Sequence, residues 1–345
     1  MHSRGGPVRK GVGACILGCS GPELTDEERE FFAEVNPVGF ILFARNVVEP
    51  DQLRSLTSEL RMVVGRNVPI LIDQEGGRVQ RLRPPHWESW LPAAEQIEAV
   101  GRELASRSMM LRARLIAWEL NWVGIDVNCV PVADIARAET HEVLLDRCYG
   151  TTPHVVTAIS RATVEGLRRG GVLPVLKHIP GHGRGLVDSH LELPRVNASW
   201  TALQSTDFVP FQSLSNLPFG MTAHIVFDAI DPDNPVTTSH TAISLIRNDI
   251  GFGGFLMTDD ISMEALSGDL PSRCKASLAA GCDAVLHCNG NFEEMTIVAD
   301  ACGTLSRSAS ARLGRALARR RPAEPADIPG IMAELQRLMD RGRDG

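Results

Sequence analysis

The chain has 345 residues, 43% of them hydrophobic and 22% charged, and its 35 basic against 42 acidic side chains leave a net charge of −7. This is the composition of an ordinary soluble globular protein, long enough for one large core or two domains. It argues against a nucleic-acid partner, since no basic run looks like a nucleic-acid footprint, and no apolar run is long enough to span a membrane.

Residues 1–10 carry Arg4, Arg9 and Lys10, and the apolar run 14–17 after them is too short for a signal sequence, so it reads as the first strand. Further strand-like apolar runs lie at 39–43, 68–72, 125–132, 172–177, 219–225, 254–257 and 283–288. Helical stretches lie between them at 25–35, 51–64, 101–122, 152–169, 241–248, 271–280 and 291–301. Thr25 with Glu28 forms a capping-box pattern at the start of the first helix. Residues 181–218 read as mostly loop, with a turn of helix around 207–214. Two terminal helices, 307–320 and 325–339, are expected to cover the barrel base.

Eight strands alternating with helices predict an α/β fold, a (β/α)8 TIM-type barrel. A doubly wound open sheet is the structural alternative. No composition break marks a boundary, so residues 1–345 are expected to form a single catalytic domain, with terminal helices from about residue 304 packed on the barrel. None of the eight cysteines forms a C-x-x-C pair, and together with the lack of an export signal this predicts reduced thiols and a cytoplasmic location.

In a barrel the chemistry belongs at the C-terminal ends of the strands. There the sequence places Asp73-Gln74-Glu75-Gly76-Gly77-Arg78-Val79-Gln80-Arg81, Asp134, Asp146-Arg147, Lys177-His178, His224, Thr258-Asp259-Asp260 and His287-Cys288-Asn289. The loop after strand five is the richest. It carries His182, Arg184, Asp188 and His190 among three glycines and a proline, which rule out helix. In an extended segment Asp188 and His190 project to the same side, so the carboxylate can orient the imidazole and support its charged form for proton transfer.

Asp259, at the end of a buried strand, suits a nucleophile, a general base or a metal ligand, while Asp260 suits an N-cap of the next helix. Asp73 and Arg81 flank a Gly-Gly turn and suit a polyol, and Glu75 and Arg78 either join them or pair with each other. Arg147 and Lys177 add donors, or else pair with a carboxylate such as Asp146. His178, His182, His190 and Asp188 could hold a metal, but the i,i+4 spacing of His178 and His182 serves that purpose only in a helix, which Pro180 and Gly181 disfavour. Gly11-Val12-Gly13 precedes a strand, the wrong order for a dinucleotide site.

Four segments, in order, resemble family 3 glycoside hydrolases, and most closely the bacterial β-N-acetylhexosaminidase branch: 73–81; Lys177-His178 with Pro180-Gly181-His182-Gly183 and Asp188-Ser189-His190; Met221-Thr222-Ala223-His224; and Thr258-Asp259-Asp260-Ile261-Ser262-Met263. The resemblance spans roughly residues 12 to 300. It implies a barrel fold with Asp259 as nucleophile and His190 as general acid/base, Asp188 being the partner of His190. It implies that Asp73, Arg81, Arg147, Lys177 and His178 bind N-acetylglucosamine, with no metal and no organic cofactor. The implied substrate is a small sugar, an N-acetylglucosaminyl muropeptide or disaccharide from peptidoglycan recycling. The implied partners include neither nucleic acid nor membrane, and the assembly is a monomer or weak homodimer.

Ile179, Arg184 and Cys148-Tyr149 depart from the family pattern; the first two are expected to alter loop packing or the leaving-group side. A phosphorylase or β-glucosidase on the same scaffold, an inactive sugar-binding protein and a metal-dependent hydrolase are the alternatives.

Overall fold

The structure, a computed structural model, describes residues 11–189 and 191–343. Among these residues the apolar runs become eight parallel strands: β1 (Gly13–Leu17), β2 (Pro37–Leu42), β3 (Ile70–Ile72), β4 (Val127–Asn128), β5 (Leu173–Ile179), β6 (Phe219–Thr222), β7 (Phe255–Asp260) and β8 (Ala284–His287). Each pairs with its sequence neighbours and β8 pairs back onto β1, so the sheet closes and the open-sheet alternative does not occur. Closure buries both faces of every strand, which is why the strands read as continuous apolar runs rather than alternating ones.

The barrel interior is filled by side chains such as Ile16, Ile41, Leu71, Val175, Phe219, Phe255 and Leu286. Ala309, Leu313 and Ala316 of the helix Arg307–Leu317 join the same cluster and plug the end away from the C-terminal rim, as expected. The helix Ile328–Arg343 instead flanks the barrel. It packs against Ala93–Val100 and Arg102–Trp122, and Arg107 donates to the Glu334 carboxylate from Nε at 2.7 Å and from one terminal nitrogen at 2.8 Å. The helix Ala93–Val100, bounded by Pro92 and Gly101, is not among the helical stretches expected from the sequence.

Other boundaries follow local chemistry. The Thr25–Glu28 capping box forms in full and starts the helix Asp26–Val35. Strand β4 is much shorter than 125–132 because Pro131 has no N–H for the ladder, and only an isolated bridge from Val132 to Lys177 continues it. Strands β5 and β7 are each longer than expected, and each carries an irregularity near its end. Against β6, the three-residue step from Leu176 to Ile179 spans only two residues, Gly220 to Thr222. Against β8, the step from Met257 to Asp260 spans only Ala284 to Leu286. Both are one-residue bulges, which re-aim side chains at a barrel rim. At the second, Thr258 Oγ1 accepts from Leu286 N at 2.9 Å and replaces the interrupted ladder bond.

At the plugged end Asp283, buried, accepts from Leu256 N at 2.9 Å, from Arg247 at 2.8 Å and from Arg312 at 2.7 Å. It thereby ties β7 to the terminal helix. Asp283→Ala would leave two partly exposed guanidiniums without their carboxylate, and a loss of about 2–4 kcal/mol in unfolding free energy is expected. Denaturant titration of both proteins measures it; an unchanged midpoint would show that the tie contributes nothing.

Candidate active site

The polar rim residues converge on a cavity of about 250 Å³ at the C-terminal mouth of the barrel. Asp73, Arg81, Arg147, Lys177, His178 and Asp259, six residues from the ends of β3, β5 and β7 and from the loops after β3 and β4, all line it.

Lys177 is 2% exposed, and an isolated ammonium at such a position would be strongly unfavourable. Its Nζ lies 2.8 Å from Asp73 Oδ1 and 2.7 Å from Glu75 Oε1. Glu75 is gripped from the other side by Arg147, whose Nε and terminal nitrogen donate to Oε2 and Oε1 at 2.8 Å each. Arg81 reaches Asp73 Oδ2 at 3.3 Å, and its guanidinium stacks 5.0 Å from the Phe43 ring centroid. Three cations and two carboxylates therefore form one lattice. Glu75 belongs to it and does not pair with Arg78, which instead lies 3.4 Å from Asp146. Burial alone would raise both carboxyls, but their cations outweigh it. Arg147 and Lys177 pull Glu75 from 4.5 down to about 2, and Lys177 with Arg81 holds Asp73 lower still.

Lys177 and His178, joined by a cis peptide bond, both face the cavity from the bulged end of β5. His178 Nδ1 lies 2.7 Å from Asp134 Oδ2, while Asp134 Oδ1 accepts from His182 N at 2.6 Å. This fully buried carboxylate thus fixes one imidazole and the first turn of the following loop. Asp134 was noted only as a residue after strand four; a lone acid in the apolar run 130–136 was the available signal.

Asp259 Oδ1 accepts from Asp260 N at 2.8 Å, and Oδ2 stands 3.9 Å from His178 Nε2, beyond hydrogen-bond reach. Burial raises its carboxyl, yet His178, His224, the Asp260 N–H and Lys177 bring it below the usual range, so it is ionised at neutral pH. His224 supports the same strand end. Its Nε2 donates to the Asp260 carbonyl at 2.9 Å, which leaves Nδ1 to accept from Thr237 at 2.7 Å. Asp260 is not a helix N-cap. It accepts from Ser262 Oγ at 2.8 Å and from Cys288 N at 3.2 Å, while the helix Leu270–Ala280 is capped by Asp269.

Residues 12–319 match the family model described as the glycosyl hydrolase family 3 N-terminal domain. The chain belongs to glycosyl hydrolase family 3. It is 37% identical over 291 residues to a protein named beta-hexosaminidase from Alkalilimnicola ehrlichii, with 81% of each chain covered. It is 38% identical over 273 residues to a protein of the same name from Methylococcus capsulatus, covering 78% of this chain and 80% of that one. The crystal structure of NagZ from Neisseria gonorrhoeae in complex with N-trifluoroacetyl-D-glucosamine superimposes with a TM-score of 0.82 at 29% identity, over 96% of this chain and 97% of that one.

In this family 3 glycosidase the loop after β5 is pinned at its start. Thr140 donates to the Gly183 carbonyl, His141 N donates to Gly185 O at 3.2 Å, and Arg184 Nε donates to Asp207 at 2.9 Å. Neither Arg184 nor the fully buried Ile179 lines the cavity; Arg184 pairs with Asp207 and Ile179 packs into the core. Cys148 and Tyr149 are also buried. Asp188 lies in the same loop and is hydrogen-bonded or otherwise engaged, while His190 falls outside the described residues. His178 and His182 meet edge-on with centroids 5.8 Å apart, and among the described residues no three His, Cys, Asp or Glu side chains are grouped to hold a metal ion. No helix among the described residues is long and apolar enough to cross a membrane.

Because the folded Glu75 carboxyl titrates below its unfolded value, its contribution to stability is complete above about pH 4.5 and is lost as pH falls toward about 2. The melting temperature should drop through that window, and Glu75→Gln should flatten the drop. An equally steep drop in the variant would assign the acid transition to other groups.

Proposed function

We propose that this chain is a retaining exo-β-N-acetylglucosaminidase that forms a covalent glycosyl-enzyme on Asp259. The observation that carries the reading is the ionised Asp259 carboxylate, seated on the bulged end of β7 and facing a cavity floored by fixed donors and acceptors. A nucleophile must be held rigidly beside the reacting carbon, and a strand end does this better than a loop. The cavity is closed below by the barrel core and has room for one pyranose ring, which suits removal of a terminal residue.

Within it Asp73, Arg81, Arg147, Lys177 and His178 recognise the sugar hydroxyls and the acetamido group. The charge lattice fixes these donors in advance, so binding orders few side chains. The relatives named beta-hexosaminidase and the NagZ complex with a glucosamine derivative support the choice of a 2-acetamido sugar.

His190 is assigned as the acid/base group, with Asp188 stabilising its charged form. In the first step Asp259 attacks the anomeric carbon while His190 donates its proton to the leaving oxygen. In the second, His190 takes a proton from water as the water displaces Asp259, and the anomeric configuration is retained. By family resemblance we extend the reading to peptidoglycan fragments, N-acetylglucosaminyl-anhydromuropeptides recycled in the cytoplasm.

An aryl β-N-acetylglucosaminide should be turned over in strong preference to the aryl β-glucoside. Asp259→Asn should abolish that turnover together with covalent labelling by a slow fluorinated glycoside, and a labelled peptide in the variant would disqualify Asp259. His190→Ala should lower kcat by about 10²–10⁴-fold on a substrate with a poor leaving group and far less on an activated aryl glycoside. Equal losses on the two would remove His190 from the acid role.

A further inference from the structure

His182 differs from the other cavity histidine and from the core histidine behind it. His178 is bonded to Asp134, and both nitrogens of His224 are partnered. His182 is 5% exposed and lines the cavity, yet among the described residues neither Nδ1 nor Nε2 has a hydrogen-bond partner. A buried imidazole in that condition is unfavourable unless something meets it.

The residue is held in place by its surroundings. Its N–H is fixed on Asp134 at 2.6 Å, its ring abuts His178, and its other side lies against Gly185. A Cβ at Gly185 would come within 2.9 Å of the ring atoms Cε1 and Nδ1. Burial, and then the neighbouring His178, lower its pKa from 6.5 to about 4. At neutral pH the ring therefore offers one N–H donor and one acceptor nitrogen. A sugar hydroxyl, itself both donor and acceptor, matches either nitrogen, whereas an anion can use only the donor.

We propose that His182 is a further substrate-contacting residue, its imidazole hydrogen-bonding one hydroxyl of the bound sugar ring and adding to the recognition made by the charge lattice. The proposal rests on reading the cavity as a sugar site.

The test compares wild type, His182→Leu and His182→Gln on an aryl β-N-acetylglucosaminide and on its 3-, 4- and 6-deoxy analogues. Wild-type turnover of the parent compound examines the sugar reading by itself; no turnover overturns both proposals. Given turnover, His182→Leu should lower kcat/KM about 10–100-fold, the usual effect of an unmade hydrogen bond in a buried site, with His182→Gln recovering part of it. One deoxy analogue should be poor for wild type by a similar factor and lose nothing more in His182→Leu, because the two changes remove the same bond. A merely structural histidine would give losses that add for every analogue, and that result, or a His182→Leu enzyme within twofold of wild type, overturns the contact. If His182→Leu does not fold, the same additivity is read from His182→Gln.

Discussion

A lysine ammonium cannot sit at the bottom of a barrel mouth by itself, and the site is arranged around that fact. Lys177 is tolerated because Asp73 and Glu75 are each within 2.8 Å of its Nζ. Two carboxylates beside one ammonium would in turn carry an excess negative charge, and Arg147 and Arg81 offset it. Removing one member of such a buried lattice leaves an uncompensated charge, which is far more harmful than never having had the lattice. The members are thus mutually dependent, and their geometry is settled before any sugar arrives. Preformed dipoles and charges of this kind lose little on binding, whereas flexible surface groups would first have to be ordered.

The same logic governs the two sides of Asp259. A partly buried carboxylate would tend to take up a proton, yet His178 and the Asp260 N–H keep it charged, the N–H bonding Oδ1 and His178 standing 3.9 Å from Oδ2. His224 contributes a directional bond to the Asp260 carbonyl and braces the strand end. Asp134 organises the opposite wall by serving His178 and the His182 main chain with its two oxygens. The carboxylates of Asp259 and Asp134 thereby take different tasks according to what surrounds them.

Much of this was legible in the residues. The alternation of apolar runs and helical stretches foretold the barrel, and Asp73, Arg81, Arg147, Lys177, His178 and Asp259 meet at one cavity as the strand ends implied. Four features were not legible. The partner of Glu75 is Arg147, 72 positions away, whereas the sequence left pairing with the nearby Arg78 as one of two readings. Asp260 resembled a cap because acids before helices usually are, but the helix begins ten residues later, behind Asp269. Asp134 and His182 were hidden because their importance lies in burial and in what they do or do not touch. Ile179 and Arg184 stand beside the motif in sequence, which left open whether they alter loop packing or the leaving-group side; in space Ile179 packs into the core and Arg184 turns toward Asp207.

The extra residue in β5 and the one in β7 have a further meaning for how this barrel can vary. Along a strand, inward and outward positions alternate, and one added residue reverses the parity of everything beyond it. Upstream of each irregularity the chain follows the packing of the core; downstream it follows the needs of the mouth. Shortening either strand by a single position would put those two phases back in step, turning a charged group toward the surrounding helices and an aliphatic one toward the opening. Length in these two segments is consequently as tightly constrained as residue identity, although no single side chain records it.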